Sequence, residues 1–173
     1  MSNPEDHLSV QEIPALYRKH LRELLAYLYR FFRNADEAEE TVQEVFYLLC
    51  ARARKGNLDR KNIRAYLYRT AHNLAIDNLR KKKIREESLN PLHTAAGPED
   101  SARVNDSVFI ENMLNHIDAA FTIREGEAFR LRYIHGMSVE ETAEVLGSST
   151  ASTSRLLSSV VSRLSKDFPD ALV

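Results

Sequence analysis

SVEETAEVLGSSTASTSRLL, from Ser138 to Leu157, is the stretch on which the reading of the fold turns. Ser138 with Glu141 three residues later makes a capping box that opens a short helix running through Leu146. Gly147 breaks that helix, and Thr153, Leu157, Val160, Leu164 and Phe168 line one side of a final helix. A short helix, a tight turn containing Gly and a second helix make the helix-turn-helix layout, in which the second helix enters the major groove of DNA. Ala143 is small where the two helices must cross closely. Gly147 allows the positive φ of the turn, and Leu146, Thr153 and Leu156 or Leu157 seal the crossing. An unrelated helical hairpin would carry the same pattern.

Upstream of this stretch, Gly136 is a natural C-cap for a helix containing Ala128, Leu131 and Ile134, and Phe109, Met113, Ile117 and Ala120 form the stripe of the helix before it. From Ser88 to Asn105 the chain holds Asn90-Pro91, Gly97-Pro98 and scattered small and acidic residues, which reads as a flexible linker. Before the linker, Tyr17, Leu21, Leu24, Leu28 and Phe31 predict a helix from about Val10 to Phe32. Asp36 with Glu39 reads as a capping-box-like start to a second helix that buries Ala38, Val42, Val45 and Leu49. Lys55 to Asp59 form a loop, and a third helix from about Asn62 to Glu87 buries Ile63, Leu67, Ala71 and Leu74. The expected architecture is all-α, with a first domain over 1–87, a linker over 88–105 and a helix-turn-helix domain over 106–173.

Composition agrees with this reading. The chain has 173 residues, 43% of them hydrophobic, with only 5 Gly and 5 Pro, which disfavours many-turned β architectures. No apolar run is long enough to span a bilayer, and the opening MSNPEDHLSVQE is acidic and polar where a signal peptide needs a basic start, so a cytoplasmic location is expected. The single cysteine, Cys50, lies in the apolar run VFYLLC and reads as a small buried hydrophobe.

The net charge of -1 conceals a segregation. Asp36 to Glu44 carry five acids and no base, whereas Phe46 to Arg85 carry twelve bases against Asp59 and Asp77. The basic side suits a polyanion, because each neutralised phosphate releases condensed counterion, and the acidic side suits a basic protein. Part of the acid placement has a structural explanation, since carboxylates in first helical turns are favoured by the helix dipole. Solvated helix faces are the plain alternative.

The run NIRAYLYRTAHNLAIDNLRKKKIR interleaves Tyr66, Tyr68 and His72 with Arg64, Arg69, Arg80, Lys81, Lys82, Lys83 and Arg85. Rings that stack on unpaired bases and cations that follow phosphates are what single-stranded nucleic acid requires. Arg69, Asn73, Asp77 and Arg80 share one helix face, which suits base reading. Tyr66 reads as structural more readily than Tyr68. In the final helix ten of the eighteen residues from Ser148 to Ser165 are Ser or Thr, with Arg155 and Arg163 the only bases. Hydroxyls reach phosphates and base edges but carry no charge, so this domain should bind DNA weakly by itself. The six histidines never pair at metal-ligand spacing, and no Gly-rich phosphate loop exists. No catalytic residue, metal, cofactor or small-molecule substrate is therefore expected, and the chain reads as a non-enzyme.

Three blocks resemble the extracytoplasmic-function (ECF) sigma factors of bacterial RNA polymerase. DEAEETVQEVF (Asp36 to Phe46) is similar to the family's core-polymerase-binding helix, and RAYLYRTAHNLAIDNLRKKK (Arg64 to Lys83) to its minus-ten-reading and melting helix. YIHGMSVEETAEVLGSS (Tyr133 to Ser149) is similar to its minus-thirty-five helix-turn-helix. The resemblance implies core RNA polymerase binding by Asp36, Glu39, Glu40, Gln43 and Phe46. It implies minus-ten promoter contact by Arg64, Tyr68, Arg69, Asn73, Asp77, Arg80 and Lys81, and minus-thirty-five contact by Ser149, Thr150, Ser152, Ser154 and Arg155. The implied function is promoter-specific transcription initiation under an anti-sigma factor. Phe121-Thr122 stand where the family usually has Leu-Pro, Thr142 where it usually has Ile, and Ser154 and Leu156 where recognition-helix bases are common. Ala128-Phe129 and the Ser-rich start of the last helix resemble the iron-uptake, cell-surface-signalling subgroup, whose anti-sigma regulators sit in the inner membrane. Two other readings remain open: a stand-alone helix-turn-helix regulator of duplex DNA, and a sigma-like regulator that binds only proteins.

Overall fold

A computed structural model of the chain describes residues 7–56, 58, 60–89 and 106–168. Every α-helix among them belongs to one of two compact units, Met1–Pro91 and Leu92–Val173. In the first unit a 3₁₀ turn, Val10–Glu12, leads into α1 (Ile13–Phe32), followed by α2 (Ala35–Arg54) and α3 (Ile63–Leu89). The second unit holds α4 (Asp106–Ala120), α5 (Ile123–Phe129), a π-helical turn over Arg130–Ile134, α6 (Val139–Val145) and α7 (Thr150–Asp167). The expected linker lies outside the described residues over 90–105, while Ser88 and Leu89 still belong to α3.

The first unit packs three helices around a common core. Leu24, Leu28, Val42, Val45, Leu49, Leu67 and Ala71 are buried in it, together with Tyr27 and Tyr68. Burying apolar side chains against one another is the main term that holds such a bundle, because each buried Leu or Val contributes about 1.5–3 kcal/mol when removed from water. Only Arg33 and Asn34 connect α1 to α2. Arg33 takes the left-handed conformation (φ 52°) and its N–H donates to the Tyr29 carbonyl at 2.8 Å, which turns the chain back within two residues. The start of α2 differs from the Asp36–Glu39 box expected. Asn34 is the N-cap, its Oδ1 accepting from the Asp36 and Glu37 N–H groups at 2.9 and 3.2 Å. An Asn just ahead of the acids can satisfy two first-turn donors at once, so the acids stay on the surface. Cys50 is half-buried rather than a core residue.

In the second unit, Ile117, Phe121, Phe129, Val160 and Leu164 form one cluster, with Met113, Leu114 and Phe168 against it. The Phe109 side chain of the expected stripe lies outside the described residues. The helix through Ala128 and Leu131 changes to π geometry at Arg130, and this swings Ile134 out to solvent against expectation. A Cβ on Gly126 would meet Arg130 Nη1 and Ile117 Cγ2, each at 3.1 Å, so α4 and α5 approach each other over a position without a side chain.

The segment from α6 through the turn to α7 is closed by local caps. The Ser138 hydroxyl accepts from the Glu141 N–H at 3.0 Å, and the Glu141 carboxylate accepts from the Ser138 N–H at 2.8 Å. Gly147 has φ +60°, and the Gly147 and Ser148 N–H groups donate back to Glu144 and Ala143 carbonyls at 3.2 and 2.9 Å. That pair of bonds is a Schellman closure of α6. Ala143, Thr153 and Leu157 are buried at the crossing. Two of the family departures have local reasons. Thr142 is fully buried, and its hydroxyl donates to the Ser138 carbonyl at 2.8 Å, so a polar residue is satisfied where an Ile would pack. Thr122 caps α5 in a reciprocal box with Glu125, while Phe121 enters the core.

Candidate nucleic-acid and protein interface

Two exposed surfaces of opposite sign lie on the first unit. On α2, Asp36, Glu39, Glu40 and Gln43 are exposed, each on the side away from the buried Ala38, Val42, Val45 and Leu49. Phe46 does not join them. It is 5% exposed and meets the Tyr17 ring edge-on, with centroids 4.9 Å apart, so its expected role as a contact residue is corrected to core packing. The next residue, Tyr47, is instead 71% exposed.

On α3, Arg69, Asn73, Asp77, Arg80 and Lys81 are exposed, and residues 80–86 are exposed without exception. The basic run therefore continues the helix past the part that packs on α1 and α2. Lys82 Nζ lies 3.2 Å from Glu37 Oε1, an ion pair that ties the far part of the basic helix to the first turn of the acidic one. With both partners partly exposed, such a pair is worth at most about 1 kcal/mol. Arg64 is half-buried, its Nη2 3.8 Å from the Glu23 carboxylate and its guanidinium 5.8 Å from the centre of the Tyr68 ring.

The aromatic rings of α3 contradict the expected stacking platform. Tyr68 is fully buried, edge-on to Tyr27 at 5.0 Å, and its hydroxyl donates to Glu23 Oε2 at 3.5 Å. Burial, reinforced by the Glu23 carboxylate, pushes its pKa up to about 12, so the phenol keeps its proton. His72 Nδ1 is 3.1 Å from the Tyr27 hydroxyl, and Tyr66 lies under the Arg52 guanidinium at 5.2 Å. Tyr68 is thus corrected from a minus-ten contact to a core residue. Placing Tyr68 one position from Leu67 and three from Ala71 widens the buried stripe, a signal present in the spacing. His20 is also buried, and burial, with Lys19 nearby, lowers its pKa below the ordinary 6.5.

On α7 the hydroxyl-bearing face is exposed at Thr150, Ser152 and Ser154, with Arg155 beside them. Ser149 is the N-cap, its hydroxyl accepting from the Ser152 N–H at 3.2 Å, so its first role is to start the helix. Other arginines of this unit serve the fold. Arg130 is buried, with Nη2 2.7 Å from Asp118 Oδ1; Arg132 donates to the Met137 carbonyl at 2.8 Å. Arg163 donates to Glu125 Oε1 at 2.9 Å and to the Ala120 carbonyl at 2.8 Å, with its guanidinium 4.0 Å from the Phe121 ring centre. Among the described residues no group of three or more His, Cys, Asp or Glu could hold a metal ion, and no helix is long and apolar enough to cross a membrane.

Residues 16–84 match the Sigma-70 region 2 family. The chain is similar to the ECF RNA polymerase sigma factor SigW of Bacillus subtilis, 30% identical over 154 residues that cover 82% of this chain and 79% of SigW. It is also similar to the ECF RNA polymerase sigma factor BldN of Streptomyces coelicolor, 26% identical over 164 residues that cover 90% of this chain. The chain spans 60% of the length of BldN. One chain of a solved RsbN-BldN complex aligns over 89% of this chain and 89% of its own, at 20% identity and a TM-score of 0.34.

Proposed function

The chain belongs to the ECF sigma factors of RNA polymerase, and we propose that it binds core polymerase through α2 and reads promoter DNA through α3 and α7. The observation that carries this reading is the separation of exposed charge within the first unit. Asp36, Glu39, Glu40 and Gln43 offer an acidic surface to a basic protein, while Arg69, Arg80 and Lys81 offer cations to phosphates. Arg64, Asn73 and Asp77 complete the minus-ten set, with Asn73 and Asp77 able to bond unpaired base edges. Thr150, Ser152, Ser154 and Arg155 are the minus-thirty-five set, entering the major groove from the start of α7.

Each DNA surface is weak alone in this reading. Joining both through polymerase raises the effective concentration of the second contact once the first has formed, so specificity comes from two linked weak sites. Control by an anti-sigma factor is part of this proposal, and assignment to the iron-uptake, cell-surface-signalling subgroup, with an inner-membrane regulator, is its finer form. The test is to add the purified chain to sigma-free core polymerase on fragmented DNA of the source organism and map transcript starts. Discrete starts sharing two upstream sequence blocks are expected. Core binding without any starts would favour a protein-binding regulator, and DNA binding by a symmetric dimer without polymerase would favour a stand-alone repressor or activator.

A further inference from the structure

We propose that Tyr47 is the aromatic anchor of the α2 surface, its ring receiving a cationic, apolar-stemmed side chain of core RNA polymerase. The inference rests on the reading of α2 as the polymerase-docking helix and names a residue that determines how that docking is held. Asp36, Glu40, Gln43 and Tyr47 follow one another at spacings of four, three and four, so they form one ridge, and all four are exposed. Tyr47 is 71% exposed, the most exposed aromatic ring in the first unit, whereas Phe46 beside it is 5% exposed against Tyr17. The two adjacent rings therefore divide the work that one residue was expected to do: Phe46 holds the helix to the core and Tyr47 faces outward.

A single apolar group on a surface is ordinary by itself. Position sets this one apart, because the ring continues the ridge of Asp36, Glu40 and Gln43 and the exposed Arg54 bounds the helix beyond it. A basic partner drawn to the carboxylates brings Arg or Lys side chains to the same ridge. The negative face of the phenol attracts a guanidinium, and the aliphatic stem of such a side chain covers the ring edge. Tyrosine is rigid and largely apolar, so covering its ring removes a large area from water at little entropic cost, and Tyr is enriched among the residues that dominate binding energy at interfaces.

The experiment is a competition assay of the full chain for sigma-free core polymerase, run at several salt concentrations beside thermal melts of the free chain. Tyr47→Ala is expected to weaken binding by about tenfold or more, with an unchanged melting midpoint and little change in salt dependence. Tyr47→Phe keeps the ring and should bind within about threefold of the parent. Glu40→Lys serves as the reference for the docking reading: it should weaken binding and alter its salt dependence. Parental affinity in Tyr47→Ala while Glu40→Lys is impaired overturns the anchor and leaves α2 as the docking helix. Parental affinity in both variants overturns the docking reading and the anchor with it.

Discussion

The first unit leaves the cations along α3 on its surface, and the second engages several of its arginines in holding the fold. Arg69, Arg80 and Lys81 are exposed on α3, but Arg130, Arg132 and Arg163 hold α4, the Met137 carbonyl and the α5 cap in place. Basic side chains in the two units thus have unequal consequences. A guanidinium engaged with a carboxylate and a carbonyl contributes to packing and capping, and is less available to neutralise a phosphate. In the proposed reading, the phosphate contacts of the promoter fall mainly to α3, and α7 supplies hydroxyls that position and discriminate.

The strongest challenge to that contrast is Tyr68, because an aromatic ring on α3 would be its obvious base-stacking group if it were not in the core. Tyr68→Ala should cost about 3–5 kcal/mol of stability in a urea melt, as deletion of a buried ring does. A variant that melted like the parent yet failed to open promoters would return the ring to the DNA surface. Next in size is the electrostatic asymmetry itself. Arg80→Ala with Lys81→Ala should lower the slope of log affinity against log salt by about 1.5–2, whereas Arg155→Ala should change it by about 1 or less. Equal slope changes would mean that α7 carries as much of the phosphate contact as α3.

The smallest expected effect concerns the carboxylate that caps α5 in the second unit. The Thr122 backbone N–H, with its hydroxyl and Arg163, holds the Glu125 pKa below the ordinary 4.5. A depressed carboxylate adds stability that is present above 4.5 and is lost as pH falls through the folded-state value. Glu125→Gln should therefore flatten the acid limb of the stability curve of the second unit, and leave DNA affinity at neutral pH unchanged. A loss of DNA affinity in that variant would show that the cap does more than hold α5.

The helices were legible from spacing, since an amphipathic stripe and a cap are local properties of a few neighbouring residues. Ser138 with Glu141, Gly147 and Ala143 announce the helix-turn-helix because each meets a requirement of its own turn. The α2 start was displaced because Asn34 satisfies the first-turn donors before Asp36 can. Sequence by itself determined the all-α class, the order of helices and the segregation of charge between α2 and α3. Tertiary structure alone decided which of Phe46 and Tyr47 faces solvent, that Tyr68 belongs to the core, and which arginines are engaged in the fold. Periodicity assigns a residue to a stripe with an uncertainty of about one position, and one position is a rotation of roughly 100° about the helix axis. Only the neighbouring helices show where the edge of the buried stripe falls, and burial at that edge separates a packing ring from a binding one.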